Sequence, residues 1–300
     1  MAVLAVFLAV VVGTVGPVEA AKKKETAKPA LPHELPMTVV IVRSGEPGCE
    51  PICPEWIAAE GEITAASPRL FRKALKQAGR HRLPVVIHSP GGRMDAAIEI
   101  GRMIRARKLD VAVGWTLYDG CRPADKACKL PKAQKGIYRG MAYPGRAVCN
   151  SACPMVLAAG QRRLASPWSF VGVHQVRTTW VKERVTYREK YLIVNGRKKV
   201  VSRTIVSRKP VKSYEKLGLD KRLRETLTAY LNEMGISLAL LDDMEMAPPT
   251  SIHELSLARM DELKLLTDHA TVMQLTSKTV CLAAAPAEHC VPDGPAKAGP

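Results

Sequence analysis

Pro84-Val85-Val86-Ile87-His88-Ser89-Pro90-Gly91-Gly92 joins an apolar strand, Pro84–Ile87, to a glycine pair. A helix follows from about Met94 to Arg107, with Ala97, Ile98, Ile100 and Ile104 on one face. Strand, tight turn and helix begin a βαβ unit, and the same alternation extends both ways. Upstream are strands Met37–Arg43 and Trp56–Ile63 and a helix at Pro68–Ala78. Downstream are a strand at Val111–Trp115, a helix from near Ser151 to Gly160, and strands Arg163–Ala165 and Phe170–His174. The pattern over residues 56–174 predicts an α/β fold built on a mostly parallel sheet.

Two insertions interrupt it. Residues 116–148 carry Asp119-Gly120, Pro123, Pro131 and Pro144-Gly145 and read as a long loop stapled by cysteines. Residues 177–206 alternate apolar and polar side chains around Asn195-Gly196 and read as a basic β-hairpin. Helices are expected at Lys221–Met234, Leu238–Met246 and Ser256–Leu266, and residues 269–300 read as a C-terminal tail.

Three short segments carry the chemistry. In Ser89-Pro90-Gly91-Gly92, backbone N–H groups can face outward with no side chain in the way. Preorganised donors of this kind stabilise an oxyanion, each by about 3 kcal/mol. In Asn150-Ser151-Ala152-Cys153 a serine stands at a strand-to-helix junction, where it is either a helix cap or a nucleophile. In Val171-Gly172-Val173-His174-Gln175 a histidine ends an apolar strand. A serine needs a base to take its proton, and histidine is the commonest one. His88 and His253 are placed where they could border the same site.

Taken together, these segments resemble the proteolytic subunit of the Clp protease and the wider ClpP/crotonase superfamily, over about residues 56–176 with a weaker echo at 246–268. Gly61-Glu62-Ile63 resembles the family's Gly-Glu-Ile strand end. The resemblance implies a spiral of ββα units, commonly assembled into rings or trimers. It implies Ser151 as nucleophile, His174 as base and then acid, and Gly92 and Ala152 as oxyanion donors, with Gly91 shaping the loop. The family's acidic third member is expected between Pro249 and Leu255, where no Asp occurs. Glu254 is a substitute, as are Asp242 and Asp243 from the preceding helix, and a Ser-His dyad without an acid is the remaining alternative.

Composition sets the context. The chain has 300 residues, of which 47% are hydrophobic and only 5% aromatic, so its core must be largely aliphatic. Residues 1–20 read as a signal peptide: an apolar run from Val3 to Val12 leads to Val18-Glu19-Ala20, with cleavage expected after Ala20. A secreted or periplasmic location follows. Residues 21–36 read as a disordered lead-in, and residues 37–268 as the main domain.

Eight cysteines in four near pairs (49/53, 121/128, 149/153 and 281/290) fit an oxidising compartment. Cys121–Cys128 and Cys281–Cys290 are plausible local bridges. A helix beginning at Ser151 would leave Cys149 and Cys153 poorly placed to join each other. No C-x-x-C occurs, and neither metal nor cofactor is expected.

The formal charge is +17, and residues 181–209 hold ten Lys/Arg against Glu183 and Glu189. This concentration, Lys182–Lys209, suits an anionic envelope surface of polymers or lipids. An equally plain reading is a solvated hairpin whose charges prevent edge pairing. No nucleic-acid motif is present. The leading expectation is an exported, ATP-independent serine peptidase acting on peptides or unfolded segments as a homo-oligomer. The alternative is an inactive envelope protein of the same fold that binds anionic polymers or lipids.

Overall fold

A computed structural model describes residues 35–293. The expected signal peptide and most of the expected lead-in fall outside the described residues. No helix of the described residues is long and apolar enough to cross a membrane. Leu35 and Pro36, assigned by sequence to the lead-in, belong to the fold. Glu62 N–H donates to Leu35 O, Met37 N–H donates to Glu62 O, and Pro36 bridges Glu62.

The chain opens with β1 (Thr38–Ser44) and β2 (Ile52–Glu60), an antiparallel pair. β2 is buried at nearly every position because strands flank both its edges and layers cover both its faces. Helix α1 (Ser67–Ala78) starts with Pro68 in its first turn, where the missing N–H costs nothing. It buries Phe71, Ala74, Leu75 and Ala78 at helical spacing. Then come β3 (Val85–His88), α2 (Met94–Arg107) and β4 (Val111–Val113), as the alternating pattern predicts.

The 116–148 insertion is more than a loop. It supplies β5 (Trp115–Tyr118) and β6 (Tyr138–Tyr143), which pair antiparallel, and β6 extends the main sheet beside β1. The residues between them are stapled by Cys121–Cys128. Gly and Pro dominate the local pattern here and hide two strands whose partners are distant in sequence. β7 (Val148–Asn150), α3 (Cys153–Ala158), β8 (Arg163–Leu164) and β9 (Phe170–Val173) follow. The main sheet runs β5-β6-β1-β2-β3-β4-β8, with β2, β3, β4 and β8 mutually parallel.

The hairpin is longer than the sequence pattern suggests. β10 (Arg177–Val194) and β11 (Arg197–Leu217) pair over their whole length, so it reaches Leu217 rather than residue 206. Helix α4 (Lys221–Met234) is capped by Asp220, which accepts from Leu223 N–H at 2.8 Å. It buries Leu227, Tyr230, Leu231 and Met234. α5 (Ala239–Glu245), β12 (His253–Glu254) and α6 (Leu257–Glu262) come next, and β12 joins β9 and β7 in a second, small sheet.

The expected tail is also folded where it is described. α7 (Met273–Thr276), α8 (Thr279–Leu282) and β13 (Cys290–Pro292) cover the start of β2, and β13 pairs with Ile52–Pro54. Ala270, Val272 and Leu275 are buried against Trp56 and Leu164. These pieces are too short to show periodicity, and they are held by the sheet they cover and by the Cys281–Cys290 bridge.

All eight cysteines are paired, as Cys49–Cys53, Cys121–Cys128, Cys149–Cys153 and Cys281–Cys290. The expectation against Cys149–Cys153 is corrected. The helix begins at Cys153, not Ser151, and the reversal before it brings the two Cα atoms to 5.1 Å. Cys49, Glu50 and Cys53 cluster like metal ligands, but those two sulfurs are bonded to each other and offer no thiolate.

Candidate active site

Backbone pairing brings the three chemistry-bearing segments together. Ser89 N–H donates to Val148 O at 2.8 Å, and Asn150 N–H donates to Ser89 O at 3.0 Å. β7 pairs in parallel with β9, placing Asn150 opposite Gly172, and Ser151 N–H donates to Gly172 O at 2.9 Å. Glycine loop, serine turn and histidine strand are therefore adjacent rungs. They meet just beyond the carboxyl ends of parallel strands, where α/β folds place their sites.

Ser151 has φ of 61°, in the left-handed region. A non-glycine residue enters that region at a cost of about 1 kcal/mol and persists only where its surroundings impose it. Here β7 ends, the chain reverses, and α3 begins two residues later. The Cys149–Cys153 bridge closes the base of this reversal, with both cysteines buried. The helix cap is Ala152, with no side-chain capping bond, so the hydroxyl of Ser151 is not spent on the helix.

Gly91 and Gly92 have φ of 103° and 129°. A Cβ on Gly91 would lie 2.5 Å from both Asn150 O and Ser151 Cβ, so only glycine lets this loop pass the serine turn. Its N–H is not a free oxyanion donor, since it donates to Ser89 Oγ at 3.1 Å. Gly91 therefore shapes the loop, and its carbonyl accepts from Ile63 N–H at 2.7 Å. Among the described residues neither Gly92 N–H nor Ala152 N–H donates to a backbone acceptor. Gly92 is exposed, whereas Ala152 is fully buried directly behind Ser151.

Ser151, His174 and Gly92 line one open cavity of about 680 Å³. Met94, Val176, Leu223 and Pro249 make its apolar wall, and Arg177, Thr178 and Thr179 at the hairpin base make a polar one. The Arg93–Asp95 ion pair stands at the rim. Ser151 and His174 are both half-buried, and no hydrogen bond joins them.

The imidazole of His174 places Nδ1 2.7 Å from the carbonyl oxygen of Gln175. A carbonyl only accepts, so Nδ1 carries the hydrogen and the neutral ring leaves Nε2 with a free lone pair. Gln175 is itself pinned. Its N–H donates to Ala247 O at 2.8 Å and its Nε2 to Glu245 O at 3.1 Å. Sequence reasoning quoted Gln175 but missed this role, because a main-chain acceptor leaves no residue-type signal.

None of the three candidate carboxylates bonds to His174. Both oxygens of Asp243 are engaged by Arg259, at 2.9 and 3.0 Å. Asp242 is exposed on α5, and Glu254 is exposed on β12, where its backbone pairs with Gly172. His253 sits opposite Val173 in the same pairing and does not line the cavity. His88 is buried, and its Nδ1 accepts from Val148 N–H at 3.0 Å, which makes it a brace for β7.

No family model matches the chain, and no curated protein matches it. Among solved structures it is similar to a mutant of the 1510-N membrane-bound stomatin-specific protease, with 14% identity and a TM-score of 0.40 over 74% of this chain and 81% of that one. A second mutant of that protease, in complex with a substrate peptide, aligns at 14% identity and TM-score 0.39 over 71% and 73%. A ClpP1 mutant from Listeria monocytogenes aligns at 14% identity and TM-score 0.38 over 71% and 90%. These similarities concern the path of the chain, and the chemistry rests on the geometry of its own residues.

Proposed function

We propose that the protein is an exported serine peptidase that works without ATP on peptides or unfolded segments. The observation that carries this reading is Ser151, held in a left-handed turn, sharing one open cavity with a His174 whose Nδ1 is already engaged. In the reaction, Ser151 Oγ attacks the peptide carbonyl carbon while His174 Nε2 takes its proton. The oxyanion accepts from Gly92 N–H and Ala152 N–H. His174 then protonates the leaving amine, and a water deprotonated by the same ring hydrolyses the acyl-serine. The apolar wall of Met94, Val176, Leu223 and Pro249 favours an apolar substrate side chain beside the scissile bond.

The apolar segment up to Ala20 supports export, as do four disulfides with no free cysteine among the described residues. The purified protein should hydrolyse an unfolded protein with no nucleotide present, and Ser151→Ala should abolish that activity. Hydrolysis undiminished in the variant removes Ser151 from the mechanism.

A second reading is a catalytically inactive envelope protein that binds anionic polymers or lipids through Lys182–Lys209. The observation favouring it is that, among the described residues, no carboxylate bonds to His174. It predicts salt-sensitive binding to anionic surfaces and no hydrolysis by the unsubstituted chain.

A further inference from the structure

The β10–β11 hairpin sorts its charges by face. In an antiparallel pair, residues in register share a face, and faces alternate along each strand. Its three acids, Glu183, Glu189 and Glu215, all fall on one face. There Glu189 pairs with Arg203 and Glu183 with Arg208, and Tyr187 and Tyr191 lie under Arg203 and Lys198. Two of the three acids on that face are thus paired within it.

The opposite face holds nine cations and no acid. β10 contributes Lys182, Arg184, Arg188 and Lys190, and β11 contributes Arg197, Lys199, Lys209, Lys212 and Lys216. Lys182 stands directly across from Lys212, and Arg184 from Lys209. Like charges in such pairs destabilise a ribbon, so the arrangement calls for an anion from outside. None of these nine forms an ion pair among the described residues.

Apolar groups mark both ends of the same face. At the base Trp180 stacks on Tyr214, with ring centroids 6.5 Å apart. At the tip Leu192 and Val194 are 58% and 49% exposed. A soluble polyanion satisfies the lysines but gives nothing to these four side chains. A bilayer offers phosphates with hydrocarbon behind them, and Trp and Tyr favour the level between the two.

We propose that this face of the hairpin lies flat on an anionic lipid bilayer. The cations meet headgroup phosphates over a ribbon roughly 60 Å long, and Trp180, Tyr214, Leu192 and Val194 reach past them. This deepens the anion-binding half of the second reading by naming the face and the partner. It requires nothing of the chemistry at Ser151.

The test is flotation of the full-length protein with phosphatidylcholine vesicles, with and without phosphatidylglycerol, beside inorganic polyphosphate in solution. Two variants remove equal charge. Lys182→Gln/Lys209→Gln/Lys212→Gln should weaken binding to anionic vesicles about 100-fold. Lys198→Gln/Arg203→Gln/Arg208→Gln, on the other face, should change it little. Leu192→Ser/Val194→Ser should weaken vesicle binding and leave polyphosphate binding unchanged.

In the unsubstituted protein, bilayer-embedded quenchers should dim tryptophan emission, and Trp180→Phe should remove that dimming. This readout needs no charge variant to fold. Equal losses from the two charge variants overturn the facial assignment while leaving anion binding itself intact. Equal binding to neutral vesicles, or no effect of the tip substitutions on vesicles, overturns the bilayer as partner.

Discussion

His174 Nδ1 stands 2.7 Å from the carbonyl oxygen of Gln175, its own neighbour in the chain. This bond fixes both the tautomer and the direction of the ring, the work a buried carboxylate does in a Ser-His-Asp arrangement. A carbonyl dipole stabilises the imidazolium less than a full charge does. The carbonyl therefore orients the ring without a charged partner.

Removing the neighbouring acids tests this directly. Asp242→Ala and Glu254→Ala should each leave kcat/KM within about threefold, as expected of exposed positions outside the mechanism. Asp243→Asn should lower Tm, because it weakens the paired grip on Arg259, without moving the acid limb of the pH–rate profile. A large loss of kcat with a shifted acid limb in any one of these would assign that carboxylate to His174.

Gly91→Ala should cost about 100-fold in kcat/KM, since a misplacement of about 1 Å near a reacting group has that effect. The new methyl would meet Asn150 O and Ser151 Cβ and push the serine turn away from the histidine. Steady-state kinetics beside a melting curve separate this from global unfolding, because the folded variant should remain slow well below its Tm.

Opening the Cys149–Cys153 bridge should affect activity more than folding. A loop this short contributes roughly 2 kcal/mol of chain entropy. The double variant Cys149→Ala/Cys153→Ala should stay folded at room temperature while losing most of its kcat, as Ser151 relaxes from its positive φ. Chemical denaturation and kinetics on one preparation provide both numbers.

Glu60 gives a pH signature away from the cavity that Ser151 and His174 line. Burial pushes its carboxyl up to about 7, although Thr116 N–H donates to it at 2.6 Å. Between the unfolded value of about 4.5 and the folded value, the native state holds a proton that the unfolded chain releases. Stability from this group is therefore full below pH 4.5 and lost as pH rises through about 7. Glu60→Gln should flatten that decline, with a gain at pH 8 relative to pH 5 of up to about 3 kcal/mol. Denaturation midpoints at the two pH values decide it.

Much of this was legible in the sequence because local pattern and tertiary role agree. Helix α2 shows its apolar stripe, and β3 with the glycine pair shows a buried strand that must turn sharply. What stayed hidden depends on distant partners. β5 and β6 are strands because β1 offers an edge, and β13 exists because β2 does. At the site, Ser151, His174 and Gly92 are readable as residue types. The Gln175 carbonyl and the Ser89 Oγ bond that claims Gly91 N–H are not, since backbone groups carry no letter. The Cys149–Cys153 bridge is hidden because α3 starts two residues later than the sequence pattern suggests.

Activation of Ser151 by His174 is read out by labelling with a fluorophosphonate followed by peptide mapping. A single phosphonyl adduct on Ser151 is expected, absent in Ser151→Ala and formed at least about 100-fold more slowly in His174→Ala. Labelling of the folded protein that persists in Ser151→Ala, or that proceeds at an unchanged rate without His174, would contradict the account.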